Sequence, residues 1–356
     1  MPPKSSIASS PGKFDPRNIL VIDFGQLGDV VLSLPALRSI RKRFASATIT
    51  VAVGKSGATV VRMSRYADAV LEVDRVQLRD GSKFLSVARI LKLVSRVRKS
   101  KFDFVIDLHS LSETNLLGFF SGAPHRLYAR RPGRSLDFLA NFNPRPPAEA
   151  NSSHLIDRYL DVLQPLGLTN QSRVPVLQTD PTTDQMIDNL LEKARADSKA
   201  LLVGLFPGAG HESRRWPMRR FAELADYLIR NDNVRVVLFA GPEELALLAD
   251  MRKMFPPGTI FMDRLSVPQL ASAQARLTLF VSNDTGPMHV AAAVGTSVIV
   301  LLGRPTPHIF VPVGEQHRVI FSNDINEIEV EQVYKVAHEL LATSRTEKLF
   351  SYSEQH

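Results

Sequence analysis

Three loops in the second half of the chain carry residue types suited to gripping a diphosphate. The first lies in TLFVSNDTGPMHVAAAVG (278–295). An apolar run that reads as a strand stops at Ser282, and Asn283, Asp284, Thr285 and Gly286 follow before Pro287 opens a helix. A helix start presents backbone N–H groups without intrahelical partners, and the helix dipole adds positive potential, so an anion such as phosphate is favoured there. Gly286 lets the backbone approach closely, and Thr285 adds a hydroxyl. Asp284 or Thr285 suits equally well a simple N-cap, worth about 1 kcal/mol. His289, one turn on, fits a buried helix histidine as well as a ligand.

The second loop, PGAGHESRRWP (207–217), joins the flexible backbone at Gly208 and Gly210 to the guanidinium groups of Arg214 and Arg215. Forked cations of this kind match phosphate oxygens. The third, AGPEE (240–244), places Glu243 and Glu244 at a strand end, where an acid in nucleotide-binding α/β domains holds ribose hydroxyls. Together the three loops describe a nucleotide-diphosphate pocket.

In the first half, DFGQLGDVVLSLP sets Asp29 beside Gly28 at a helix start. A carboxylate there suits a general base and also an N-terminal helix cap. Gly25-x-x-Gly28 does not supply the dinucleotide fingerprint, and GKS at 54–56 lacks a phosphate loop's first glycine, Ile49 standing in its place. Arg62 and Arg65 flank one helix, and Arg126, Arg130, Arg131 and Arg134 crowd a later stretch, forks again suited to carboxylate or phosphate. Only Tyr128 interleaves with them, which argues against single-stranded nucleic acid. No Asp-x-Asp pair and no His/Glu spacing points to a metal site.

Such loops need strand ends to hold them. Short apolar runs alternate with amphipathic stretches: NILVIDF (18–24), ATITVAVG (47–54), AVLEVD (69–74) and FDFVIDLH (102–109) read as strands, and FLSVARILKLVSRVRKS (84–100) as a helix with a heavily basic face. After a linker-like NFNPRPPAEANSS (141–153), the same grammar resumes with ALLVGLFPG (200–208), VRVVLFAGPEE (234–244) and LTLFVSN, and SVIVLLG (297–303) reads as the last strand. Alternation at this spacing implies parallel strands joined by crossover helices. The expected organisation is a disordered tail (1–17), a Rossmann-like domain (18–173), a second such domain (174–328), and a helix and tail (329–356) packing back toward the first. Two doubly wound domains facing each other place a ligand in the cleft, at the carboxyl ends of their strands.

The bulk properties agree. A chain of 356 residues suits two domains, and 44% hydrophobic with 22% charged residues is globular composition. No apolar run spans a bilayer, and the polar N-terminus lacks a signal peptide's apolar centre, so a cytoplasmic location is expected. Zero cysteines exclude a disulfide framework, thiolate metal sites and a cysteine nucleophile. The net charge of +8 is uneven: residues 1–150 hold 24 Lys and Arg against 12 Asp and Glu, and residues 151–356 hold 20 against 24. The basic half suits nucleic acid, a phosphorylated sugar or an acidic membrane surface, or is a well-solvated face with no dedicated partner.

In order along the chain, FGQLGDVVLSLPALRSIRKRF, FPGAGHESRRWPMRRFAELADYL, LFAGPEE and VSNDTGPMHVAAAVGTSVIVLLG resemble the family-9 glycosyltransferases, the bacterial heptosyltransferases. The resemblance implies an α/β GT-B fold, with the acceptor on the first domain and the sugar nucleotide on the second. It implies that Asp29 is the general base, that Arg214 stands where a basic residue, commonly lysine, binds the donor diphosphate, and that Glu244 binds the donor ribose. Asp284, Thr285, Gly286 and His289 match the Asp-Thr-Gly-x-x-His element, with Gly208 and Arg215 completing the donor site. Gly28, Arg62, His109, Arg130, Arg131 and Arg134 are the acceptor-side candidates. His154 falls in a His-x-x-x-x-Tyr-Leu pattern, and Asp107-Leu108-His109-Ser110 departs from the usual Asp-x-x-Gly. The activity implied is inverting transfer of heptose from ADP-heptose to an anionic lipopolysaccharide core. It would need no metal or other cofactor, and the enzyme would touch the cytoplasmic face of the inner membrane peripherally and bind no nucleic acid. The rivals are another sugar nucleotide or acceptor on the same fold, and a nicotinamide-dependent oxidoreductase, which the missing fingerprint opposes.

Overall fold

The computed structural model describes residues 14–74, 83–194, 200–304 and 308–353. The chain divides into two compact units between Pro175 and Val176.

In the first unit β1 (Asn18–Asp23), β2 (Thr48–Gly54), β3 (Ala69–Val73), β4 (Phe104–Asp107) and β5 (His125–Tyr128) form a parallel sheet in the order β3-β2-β1-β4-β5. Among the described residues, four helices lie between these strands in the chain: α1 (Leu27–Arg43), α2 (Lys55–Ser64), α3 (Lys83–Lys99) and α4 (Ser112–Phe120). A fifth, α5 (Leu155–Asp161), packs on α1. Helix α1 forms because Val30, Leu34, Leu37 and Ile40 share its buried face, while Arg41, Lys42 and Arg43 in its last turn complement the dipole.

The second unit repeats the plan with six strands. These are β6 (Leu202–Phe206), β7 (Arg235–Ala240), β8 (Ile260–Asp263), β9 (Leu279–Asn283), β10 (Ser297–Gly303) and β11 (Arg318–Ser322), in the order β11-β10-β9-β6-β7-β8. Its helices are α6 (Pro181–Ala194), α7 (Met218–Asp232), α8 (Leu248–Met254), α9 (Val267–Ala275), α10 (Gly286–Ala293) and α11 (Val330–Ser353). The two faces of the sheet carry separate cores. Val203, Leu205, Val281 and Leu301 pack with Phe221 and Leu228 of α7, whereas Leu202, Phe280, Val298 and Val300 pack with Met288 and Ala291 of α10. Burial on both faces is why these strands read as unbroken apolar runs.

Three expectations need correction. The tail expected over 1–17 is already structured from Phe14, whose ring meets Phe104 edge-on at 4.9 Å and Phe142 at 5.1 Å; residues 1–13 lie outside the described part. The linker-like stretch 141–153, inside the expected first domain, packs within the first unit, because proline forbids regular structure there without forbidding packing. Phe142 is buried and the Asn141 side chain bonds both Arg126 N and Pro124 O. SVIVLLG is not the last strand, since β11 pairs beyond it. The final helix, expected to return toward the first domain, buries Val333, Ala337 and Leu341 in the second unit's own core, against α7.

Candidate functional site

In a doubly wound sheet, ligands bind beyond the carboxyl ends of the two strands where the strand order reverses. In the first unit these are β1 and β4, and each ends in a wholly buried carboxylate: Asp23 and Asp107. Asp107 accepts hydrogen bonds from Ser110 N at 2.7 Å and from the Asn115 side-chain amide at 2.8 Å, yet burial pushes its pKa up to about 7. Asp23 Oδ1 accepts from Gly25 N at 3.0 Å, while its buried Oδ2 has no hydrogen-bond partner among the described residues. Burial, then the neighbouring Asp29 charge, raise Asp23 to about 6 against the pull of hydrogen bonds from Ser33 and Gly25 and of the Arg131 charge. His109 Nδ1 stands 3.8 Å from Asp23 Oδ1.

Asp29 is the third residue of α1 and half-buried. Its Oδ2 accepts from Gln26 N at 3.0 Å, so the carboxylate does close the helix end. Capping and catalysis are compatible here, because an ionised carboxylate has more lone pairs than one backbone N–H can occupy. Gly25 makes the arrangement possible: a Cβ there would stand 2.5 Å from Asp29 Cβ and 3.1 Å from Asp23 Oδ1. Gly28 is the second helical residue, directly before Asp29.

Beside these acids lies a positive group that folding has fixed in place. Arg131 Nε donates to Glu149 Oε2 at 2.5 Å, and Glu149 Oε1 accepts from Arg158 at 2.9 Å, all three largely withdrawn from solvent. The Arg131 charge acts on Asp23, Asp107 and Tyr159. Burial, then the Asp23 and Asp29 charges, hold the Tyr159 phenol well above its ordinary pKa, so it keeps its proton. Arg130 is half-buried and Arg134 exposed on the loop after β5. Arg62 stands apart, paired with Glu72 on β3, two strands from the reversal and so about 10 Å away. His154 caps α5, its Nδ1 accepting from Ile156 N.

The second unit reverses between β6 and β9, which brings the loop 207–217 against Asp284. Asn283 stitches the two: its side chain donates to Pro207 O at 2.8 Å and accepts from Trp216 N at 3.0 Å. Trp216 is itself buried and donates to Ile328 O at 2.8 Å. So held, Arg214 extends its guanidinium to 3.3 Å from Asp284 Oδ2. Arg215 braces the same loop, donating to Ala209 O at 2.9 Å and facing Glu243 at 3.4 Å. Thr285 occupies the N-cap of α10 but its side chain makes no capping hydrogen bond, and His289 is buried one turn later.

Glu244 is buried between two loops. Its Oε2 accepts from Gly241 N at 3.0 Å, and a Cβ on Gly208 would lie 2.4 Å from Oε1, so only glycine fits at 208. Burial holds its pKa above the usual carboxylate value. Gly208, Arg215, Trp216 and Glu244 line a cavity of about 580 Å³, a volume suited to a nucleotide. Among the described residues no group of three or more His, Cys, Asp or Glu is placed to hold a metal ion.

Residues 90–338 match the family model for glycosyltransferase family 9 (heptosyltransferase). The chain belongs to glycosyltransferase family 9. This glycosyltransferase is 27% identical over 318 residues to lipopolysaccharide heptosyltransferase 2 of Escherichia coli K12, which covers 85% of the chain and 87% of that relative. A family-9 glycosyl transferase from Veillonella parvula shares 25% identity with a TM-score of 0.80, over 92% of this chain and 98% of that one. Escherichia coli ADP-heptose lps heptosyltransferase II has the same fold, with 21% identity, a TM-score of 0.76, and coverage of 92% and 99%. The two Rossmann-like units of this glycosyltransferase are those of the GT-B fold.

The sequence reading singled out Asp29, His109 and Arg131, which the structure gathers around Asp23 and Tyr159. It gave no role to Asp23 and Glu149, nor to Asp107 and Tyr159, which it met only as parts of family patterns. Asp23 and Asp107 had a legible signal, an acid ending an apolar strand in both VID runs. The pairing of Arg131 with Glu149 has none, because 18 residues and an irregular loop separate them.

Proposed function

We propose that this family-9 glycosyltransferase is an inverting, metal-independent enzyme that moves heptose from ADP-heptose to a lipopolysaccharide inner-core acceptor. The observation that carries the reading is the second unit's reversal point, where Arg214 and the start of α10 converge beside the Gly208–Glu244 cavity. The heptosyltransferase names of the related proteins support heptose as the sugar and lipopolysaccharide as the acceptor.

Asp29 takes the proton of an acceptor hydroxyl, and that oxygen attacks the anomeric carbon on the face opposite the nucleotide. The glycosidic electron pair leaves with ADP, and configuration inverts in one displacement. Charge growing on the departing diphosphate is met by Arg214 and by the backbone N–H groups at Gly286, fixed donors doing what a cation would otherwise do. Glu244 holds the ribose, and Arg131 and His109 face the acceptor. None of the described helices is long and apolar enough to cross a membrane, so the contact proposed with the cytoplasmic face of the inner membrane is peripheral.

A second reading, a different acceptor on the same chemistry, is favoured by one observation: Ser110, next to His109, stands where the family's usual pattern after Asp107 has glycine. Incubating the enzyme with ADP-heptose and deacylated lipopolysaccharide cores tests the first reading, with ADP release and a heptose-extended core expected. Saturable binding of NAD with none of ADP in a calorimetric titration overturns both.

A further inference from the structure

Six large apolar side chains stand exposed on three touching elements of the first unit. Ile90 and Leu91 lie on α3; Leu116, Phe119 and Phe120 lie on α4; and Phe138 lies on the turn Asp137–Leu139. Helix α4 packs against both α3 and that turn, so the six lie on neighbouring elements. Leu91 is 63% and Phe138 68% exposed, and Leu91 lies off the stripe of α3 that Val94 and Val97 turn toward the core and that Ile90 shares. Exposed apolar surface of this kind marks a binding face.

The charge around it selects the occupant. Residues 83–145 contain twelve Lys and Arg against four Asp and Glu, and of the four acids Asp107 is buried and Asp103 is engaged by Arg17 N and Asn18 N. Lys92, Arg96, Arg98 and Lys99 are exposed along α3, with Arg134 exposed near the Phe138 turn. Glu113 and Asp137 are the remaining acids on this face. Leucine, isoleucine and phenylalanine ringed by arginine and lysine suit acyl chains under anionic headgroups, where rings enter the hydrocarbon boundary and long cationic stems reach back to phosphate. Nucleic acid would leave the aliphatic side chains without a partner.

We infer that the face formed by α3, α4 and the Asp137–Leu139 turn seats the enzyme on an anionic phospholipid bilayer. This assigns a surface to the peripheral contact proposed above and rests on that reading's lipid-borne acceptor. Docking would deliver the acceptor sugar to the loops that follow β4 and β5, since α4 begins at the end of the β4 loop.

Vesicle co-sedimentation tests it, using equal parts phosphatidylglycerol and phosphatidylethanolamine against phosphatidylcholine alone. The wild-type enzyme is expected to bind the anionic vesicles about tenfold or more tightly, less so at high salt. The triple variant Leu91→Gln, Phe120→Ser, Phe138→Ser should lose that binding while turning over a deacylated, soluble acceptor at the wild-type rate. Should the triple variant fail to fold, the pair Lys92→Glu and Lys99→Glu, on side chains that bury nothing, should lose the preference for anionic vesicles instead. Equal binding of both vesicle types, no binding at all, or wild-type binding by folded variants overturns the inference. So does a dimer in sedimentation velocity that the triple variant abolishes. Failure of the soluble assay with vesicle binding intact would count against the proposed reaction and leave the surface standing.

Discussion

Asp29 closes the start of α1 and is the base proposed for the reaction, and a single substitution can separate the two. Asn at 29 keeps a carbonyl oxygen to accept from Gln26 N but cannot take a proton. Asp29→Asn is therefore expected to lower kcat by roughly 100- to 10,000-fold with the melting temperature and ADP affinity unchanged, whereas Asp29→Ala should also lose about 1 kcal/mol of stability. Near-normal turnover by the Asn variant would move the base elsewhere. Asp107 gives a pH signature. Its folded pKa of about 7 lies above the unfolded value, so between about pH 4 and 7 the unfolded chain has lost a proton that the native state retains. Its contribution is fully present below that window and falls as pH rises through it, by on the order of 4 kcal/mol. Subtracting urea-unfolding free energies of Asp107→Asn from wild type between pH 4 and 7 should expose that decline, and parallel curves would mean the carboxyl ionises normally. Ser110 explains the family's glycine: its φ of 46° is left-handed, but its hydroxyl donates to Ala129 O at 2.7 Å and accepts from the Asn115 amide. Ser110→Gly and Ser110→Ala both lose these bonds, and only alanine keeps the strain, so the glycine variant should be the more stable by about 1 kcal/mol in thermal melts.

At the scale of elements, the loop proposed to hold the donor depends on one buried side chain. Asn283 is wholly buried and ties Pro207 O, Gly208 O and Trp216 N to the end of β9. Asn283→Ala leaves those groups unpaired inside the protein, a cost of about 1–3 kcal/mol for each that water cannot reach. It also frees the loop bearing Arg214, so ADP binding measured by calorimetry should weaken by at least about tenfold, and unchanged affinity would show that the loop holds its own shape. The sequence announced this loop's glycines and arginines but read Asn283 only as part of the anion motif, since its partners lie 67 to 76 residues away. The same limit governs the strands. The central runs NILVID, LVGLF and SVIVLLG were legible because both their faces are buried. Of the edge strands, β3 was legible as AVLEVD, but β5, β8 and β11 were not: HRLY, IFMD and RVIFS are short, face solvent in part and carry charged or mixed residues that blur the pattern.

Over the whole molecule, the repetition of one doubly wound plan was legible because alternating runs dictate it, while the ownership of the last helix was not. Amphipathicity tells that α11 must bury a face, not against what. In the structure Val333, Ala337 and Leu341 complete the core that α7 forms on the second sheet, and Asp232 at the end of α7 meets His338 at 2.7 Å. The cavity lined by Gly208 and Glu244, its supporting strands and this helix all lie after Val176. A fragment of residues 176–356 should therefore fold alone and bind ADP within a few-fold of the full chain, and saturating ADP at a hundred times Kd should stabilise it by about 2.7 kcal/mol. Ending the fragment at 329 removes three large buried side chains, Val330, Val333 and Leu341, each worth about 1.5–3 kcal/mol, and strips the apolar face of α7. That shorter fragment should melt without a cooperative transition and show no ADP-dependent shift. If it instead folds and binds like the longer one, α11 is an accessory to the second unit and not part of its core.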